Sequence, residues 1–188
     1  MSAADDFNNV AQKPKPRPGE LIDAVFYKDI RRVRELLERG ADPNDRGGPG
    51  TRTLPPLMTA ITSFLSMEMV DLLIDNGADV NISNDRGVPA VLQAVFNNVP
   101  DVLVRLLEGG ADPDKKTPQG FSALYFAKRD NKTEMAEILE KASAEKARAS
   151  LEEQKQEAAS HIHDLLRAHA PKLIIRPSRK TGGPDDDR

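Results

Sequence analysis

A chain of 188 residues with 38% apolar and 30% charged side chains, a formal charge of −3 and no cysteine holds enough apolar material for one modest array, and it has little general attraction for nucleic acid or an anionic membrane. The missing thiols exclude disulfides, thiol catalysis and cysteine-bound zinc, and they lean toward a reducing compartment. Residues 1–10 carry no apolar run of the secretory kind and no stretch approaches the roughly 20 apolar residues of a membrane span, so a cytoplasmic protein is expected.

The first segment, residues 1–19, is expected to be a disordered leader. Its Lys-Pro-Lys-Pro-Arg-Pro-Gly run at 13–19 alternates proline with cations, which favours extended polyproline conformations and blocks helix or sheet pairing. Pro14, Pro16 and Pro18 stand two apart, whereas a proline-rich ligand motif needs them three apart. A solvated basic leader is therefore preferred over a docking peptide.

From residue 20 the chain is periodic. The string Gly-Ala-Asp-(Pro/Val)-(Asn/Asp) occurs at 40–44, 77–81 and 110–114, at intervals of 37 and 33 residues. A period in that range predicts stacked supersecondary units, each too poor in apolar surface to stand without a neighbour, and places function on a repetitive surface. Before each Gly runs an apolar helix pattern: Val33, Leu36 and Leu37; Val70, Leu72, Leu73 and Ile74; Leu103, Leu106 and Leu107. Spacings of three and four put these on one buried stripe. The Gly ends the helix in a left-handed conformation, and Asp42, Asp79 and Asp112 follow at turn positions where a short carboxylate accepts from nearby backbone N–H groups. A shorter helix precedes each of these, centred on Ala24, Ala60, Ala94 and Ala127. The fourth unit keeps Ile138 and Leu139 but has no terminating Gly-Ala-Asp and runs on into more helix. Against a 33-residue unit, the longer interval holds three extra residues in the turn 45–52 and one near 63–66, both places where an array tolerates insertion. The Gly-rich turn lacks the Gly-Lys-Ser/Thr ending of a phosphate loop and follows no predicted strand.

These residues resemble the ankyrin-repeat family, whose pattern is a β-turn, then Thr-Pro-Leu-His-x-Ala opening a first helix, then a second helix ending in Leu-Leu-x-x-Gly-Ala-Asp-Val-Asn. The helix openings here are Pro-Pro-Leu-Met-Thr-Ala at 55–60, Pro-Ala-Val-Leu-Gln-Ala at 89–94 and Ser-Ala-Leu-Tyr-Phe-Ala at 122–127, with Met58, Leu92 and Tyr125 in place of the family's His. The endings at 72–81 and 106–114 stay close to the family pattern. The resemblance covers residues 20–142 and implies an all-α solenoid of about four helix-turn-helix units, followed by a long C-terminal helix. It further implies a concave face, built from turn tips and first-helix ends, that binds partner proteins. The matching positions are Phe26 and Tyr27, Thr62 and Ser63, Asp85, Arg86 and Val88, Phe96 and Asn97, Pro118, Gln119 and Phe121, then Arg129 and Asp130. Four of the eight aromatic residues fall among them, and aromatic and Arg side chains in a partly enclosed groove have the character of interface anchors. Phe26 and Phe96 have a second reading as rings that fill space against the next unit; Phe121, in a turn tip, is the better anchor.

Residues 133–170 contain neither Gly nor Pro and predict one helix, roughly 57 Å long at 1.5 Å per residue. Met135, Ile138, Leu139 and Ala142 close the last unit. A thinner stripe then continues through Ala147, Leu151, Gln154, Ala158, Ile162 and Leu165, so residues 143–170 form a helical extension with three readings: a cap on the array, a helix that pairs with a partner or with a second copy, or a solvated helix held by Glu–Lys pairs. Residues 171–188 are expected to be a disordered tail, and their Leu-Ile-Ile-Arg-Pro-Ser-Arg-Lys run at 173–180 offers a rival recognition segment, by strand addition or contact with an acidic surface.

Chemistry is sparse. His161 and His163 stand two apart on the helix and face apart, so neither these nor His169 predicts a metal site, even with Asp164 near His161. The carboxylates at 185–187 read as a solvated run, and no Ser or Thr in the repeats has a His to activate it. A non-catalytic protein-binding module is expected, an adaptor or scaffold without cofactor or metal, with a protein partner and neither nucleic acid nor membrane. Residues 20–140 hold 14 basic and 20 acidic side chains, which argues against a nucleic-acid stripe.

Overall fold

The computed structural model describes residues 14–47, 54–63 and 66–169. Most of the leader, the Gly-rich turn beyond Gly47, Phe64 with Leu65, and the whole tail with its runs at 173–180 and 185–187 lie outside the described residues. Eight helices and no strand form among those described: α1 Glu20–Phe26, α2 Ile30–Glu38, α3 Pro56–Ser63, α4 Met67–Asp75, α5 Ala90–Asn97, α6 Pro100–Glu108, α7 Ala123–Arg129 and α8 Thr133–His169. The expected all-α array of paired helices with a long last helix is what the chain adopts. It divides after Lys146 into two units, the repeats with the start of α8 in one and the rest of α8 in the other.

Helix starts and stops follow from local chemistry. Asp29, Ser66 and Ser122 accept from the backbone N–H three residues on and so cap α2, α4 and α7, while Pro100, which has no N–H to waste, opens α6. The second helices end as the repeated Gly predicts. Gly40, Gly77 and Gly110 sit at φ of 80°, 88° and 89°, and each following Ala donates back to the carbonyl of Leu36, Leu73 or Leu106 at 2.9–3.0 Å, the paired bonds of a Schellman cap. First helices close the same way without glycine: Lys28, Asn98 and Asn131 take φ of 60°, 56° and 54°.

Within the first three units the two helices lie side by side, and between units α1, α3, α5 and α7 pack in succession as one row, with α4 against α6 in the other. The core is the stripe read from the repeats. Leu36, Leu73, Leu103 and Leu106 are fully buried, as are Ala60, Ala94 and Ala127 of the first helices, and Met135 with Leu139 closes the stack from α8. Met58 and Leu92, which replace the family's His, are also buried, so apolar packing takes the place of a polar contact at those two levels. Tyr125, at the same register, is 47% exposed.

Candidate protein-binding face

Two turns project between the helix pairs as short fingers. In the first, Ser83 bridges to Pro89 and the Asn84 side chain accepts from the N–H groups of Arg86 and Val88 at 2.9 and 3.0 Å, an Asx arrangement that leaves Asp85 and Arg86 exposed at the tip. In the second, Lys116 bridges to Ser122, the buried Thr117 pairs with Phe121 through an N–H···O bond of 2.9 Å, and Pro118 and Gln119 are exposed. The two fingers touch. Gly87 is at φ +74°, and a β-carbon there would stand 2.5 Å from Cγ of Pro118.

Behind the second finger four rings gather. Phe121 stacks on Tyr125 with centroids 4.7 Å apart and planes 27° apart; Phe126 meets Phe96, Tyr125 and Phe121 edge to face at 5.1, 5.3 and 5.9 Å. Phe96 comes from the end of α5, Tyr125 and Phe126 from α7. Offset and edge-on contacts match the quadrupoles of the rings, and such pairs add about 0.5–1.5 kcal/mol each beyond burial. Three of the four nevertheless remain open to solvent, Phe96 at 40%, Phe121 at 41% and Tyr125 at 47%. The Arg129 guanidinium lies 4.6 Å from the Phe126 centroid and is paired with Asp130 at 2.7 and 3.2 Å. That hydrogen bond holds the Asp130 carboxyl below its ordinary value and raises Arg129, so both remain charged and cancel locally.

Of the residues singled out in the sequence, Phe96 and Phe121 thus meet in one cluster, with Arg129 and Asp130 at its edge through Phe126. Asp85, Arg86 and Gln119 sit at the finger tips, and Val88 is half-buried against the core. Asn97 is held in place, its amide donating to the Ile61 carbonyl at 2.7 Å and accepting from Gln93 at 3.3 Å. Phe26 and Tyr27 form a separate edge-to-face pair at 5.5 Å at the end of α1. Sequence reasoning missed Tyr125, Phe126 and Lys132, whose ammonium binds the Val95 and Phe96 carbonyls. The available signal was the Tyr at a helix-opening position filled by apolar residues in the two preceding units.

Residues 21–117 match the family described as ankyrin repeats, three copies. The chain belongs to the ankyrin-repeat family. It is 35% identical over 129 residues to the E3 ubiquitin-protein ligase hecd-1 of Caenorhabditis elegans, covering 66% of this chain and 5% of that protein. It is 33% identical over 116 residues to the transient receptor potential cation channel subfamily A member 1 of Homo sapiens, covering 62% and 10%. With SH3 and multiple ankyrin repeat domains protein 2 of Homo sapiens it shares 30% over 104 residues, covering 55% and 6%. The chain therefore spans a tenth or less of these relatives, and the likeness is one of repeats. Ankyrin repeats are in general protein–protein interaction modules. No described helix is long and apolar enough to cross a membrane, and among the described residues no three His, Asp or Glu side chains converge as metal ligands would.

The ankyrin units are also stitched turn to turn by one side chain each. Asn44 donates to the Gly77 carbonyl at 3.1 Å and accepts from the Asp79 N–H at 2.7 Å; Asn81 repeats this with Gly110 and Asp112 at 3.1 and 2.8 Å. At the third turn the register position is Asp114. The acceptor-only carboxylate has no next turn to meet and takes α8 instead, receiving the Ser143 hydroxyl at 2.6 Å and the Lys146 ammonium at 3.3 Å, while Lys146 also binds Asp112 at 2.6 Å. Asp112 is held below its ordinary 3.8 chiefly by that ammonium, and Lys146 is raised above 10.5 chiefly by Asp112. The Asp112 contribution is therefore present above the unfolded value and lost as pH falls through the lower folded one; that of Lys146 is lost only above its ordinary value. Since the pair is close to half exposed, Lys146→Ala is expected to cost below about 1 kcal/mol at neutral pH. The difference from the parent in urea unfolding should hold steady from about pH 5 to 8 and close in stronger acid; a difference that persists at the acidic limit would remove the clasp from the account.

Proposed function

We propose that the protein is a non-catalytic ankyrin adaptor that captures a partner protein on the face formed by the two touching fingers and the first-helix ends behind them. One observation carries this. Three rings stand together at the surface, two of them stacked, with about two fifths or more of their area in water, and burying such area under a partner is worth roughly 25 cal/mol per Å². The finger tips frame that patch with Asp85, Arg86 and Gln119, the polar rim around an aromatic centre that interfaces commonly show. Phe26 and Tyr27 would extend the contact along the same row of helices. The double variant Phe121→Ala with Arg86→Ala is expected to weaken partner capture by about tenfold or more and to keep a cooperative helical melt, lowered only by loss of the Phe121 contacts with Tyr125 and Phe126, about 0.5–1.5 kcal/mol each, since neither side chain belongs to the core. Unchanged capture by the purified variant would move the site elsewhere.

A second reading rests on α8. Its described side chains from Ala147 to Arg167 are all exposed, among them Leu151 at 52%, Ile162 at 57% and Leu166 at 68%. The stripe through 151, 154, 158, 162 and 165 advances by 3, 4, 4 and 3, an eleven-residue rhythm that drifts little along a straight helix and would let α8 pair with a partner helix or a second copy. Sedimentation equilibrium of the full chain tests the second-copy form. A monomer across the micromolar range ends it.

A further inference from the structure

Charge is segregated within the array. Residues 20–140 carry more acidic than basic side chains, 20 against 14, yet the fingers at 82–89 and 115–122 carry Arg86, Lys115 and Lys116 against Asp85 alone. Lys115 is spent on the Asn81 carbonyl. Arg86 and Lys116 are exposed and have no carboxylate partner among the described residues. Two acids of the last unit are paired, Asp130 with Arg129 and Glu140 of α8 with Lys128 at 2.6 Å, which leaves Asp85 as the exposed carboxylate of the fingers at 82–89 and 115–122. Lys132 adds a further ammonium beside Phe96. Gly87 and Pro118 bring the two cation-bearing fingers too close for a side chain between them, and Lys116 stands opposite Ser122 in the same finger that presents Phe121.

Resting on the proposed binding face, we infer the chemistry of its partner: an acidic protein segment that carries an aromatic or bulky aliphatic anchor. The anchor enters against Phe96, Phe121 and Tyr125, where ring edges and faces are open; carboxylates flanking it meet Arg86 and Lys116. Complementary charge of this kind chiefly sets encounter rate and partner choice, while the apolar anchor sets residence. A nucleic acid would also find rings and cations here, but it needs a run of phosphate-neutralising side chains along its length. This face offers two free cations on an array that is otherwise acidic, so the protein segment is favoured.

The test uses the full chain and three fluorescein-labelled probes: a short peptide of Glu and Asp around one Phe and one Leu, the same peptide with Lys and Arg for the acids, and a short oligothymidylate. Fluorescence anisotropy is expected to show saturable binding of the acidic peptide, weakened by added salt, and no comparable binding of the other two. Arg86→Glu with Lys116→Glu should weaken it by roughly tenfold or more, with circular dichroism showing an intact fold because both side chains are exposed and unpaired. Phe121→Ala should weaken it at low and high salt alike. If the basic peptide binds instead and Phe121→Ala abolishes that binding, the face stands and the acidic partner falls. If the acidic peptide binds but neither the charge reversal nor Phe121→Ala affects it, both fall. Tighter binding of the oligothymidylate, or binding of none of the three, overturns the acidic-segment inference.

Discussion

Replacing Leu106 by alanine is expected to lower the unfolding free energy of the array by about 2–5 kcal/mol. Leu106 is fully buried, and it lies on the stripe where α6 faces the rest of the stack, so truncation removes three carbons from a packed site and leaves a void that the neighbours fill only in part. Because the units are held by nearest-neighbour packing, the loss falls on one junction and is felt by the units on both sides. For an array of this length a mid-range loss corresponds to a drop in Tm of roughly 10 °C. Val104, on the same helix but 37% exposed, provides the contrast: Val104→Ala should cost well below about 1 kcal/mol. Urea unfolding followed by circular dichroism at 222 nm measures both. Equal, small losses would mean that the leucine stripe does not bury as described.

Gly87→Ala is expected to cost about 2–3 kcal/mol, from two separable sources. At φ +74° a side chain in the left-handed region costs roughly 1–2 kcal/mol. The added methyl also meets Pro118, 2.5 Å from Cγ and 2.7 Å from Cδ, so the fingers must part. Those two proline carbons are absent from alanine, which makes Pro118→Ala the natural partner in a double-mutant cycle. Combined with Pro118→Ala, the Gly87 substitution should retain its backbone cost and lose the steric one, giving a coupling of about 1 kcal/mol. A coupling of zero would show that the fingers do not touch. The Gly87→Ala variant alone should also weaken capture of the partner, since Arg86 and Phe121 would then be displaced from one another.

The repeats were legible because their signals are local and repeated three times. A glycine after a leucine pair fixes a cap, and an alanine in each first helix fixes where two units approach. The buried faces at Leu36, Leu73 and Leu106 and the Asx turns at Asp42, Asp79 and Asp112 accordingly match the pattern, down to the 2.8–2.9 Å bonds those carboxylates accept. The proposed binding face was half legible. Register along the repeats located Phe96, Phe121 and Arg129, but it could not tell that Tyr125 turns outward and stacks, because Met58 and Leu92 at the same register turn inward. Nor could it join Lys132 to the end of α5, a contact between residues 36 and 37 positions apart that depends on how one unit is rotated over the next. The ladder of Asn44 and Asn81 was hidden for the same reason: the motif names the asparagine, and only stacking shows which carbonyl it reaches.

The exchange of asparagine for aspartate at the third turn has an architectural consequence. An amide offers both a donor and an acceptor and so can receive a further unit of its own kind; a carboxylate accepts only, and here it is satisfied by a hydroxyl and an ammonium from a helix. Residue 114 is thus matched to a helix and not to a further turn. Lengthening this scaffold by grafting would require an amide restored at that site and Ser143 and Lys146 recast as a turn, whereas transplanting the aspartate together with its two helical partners should give other arrays of this class a ready-made end.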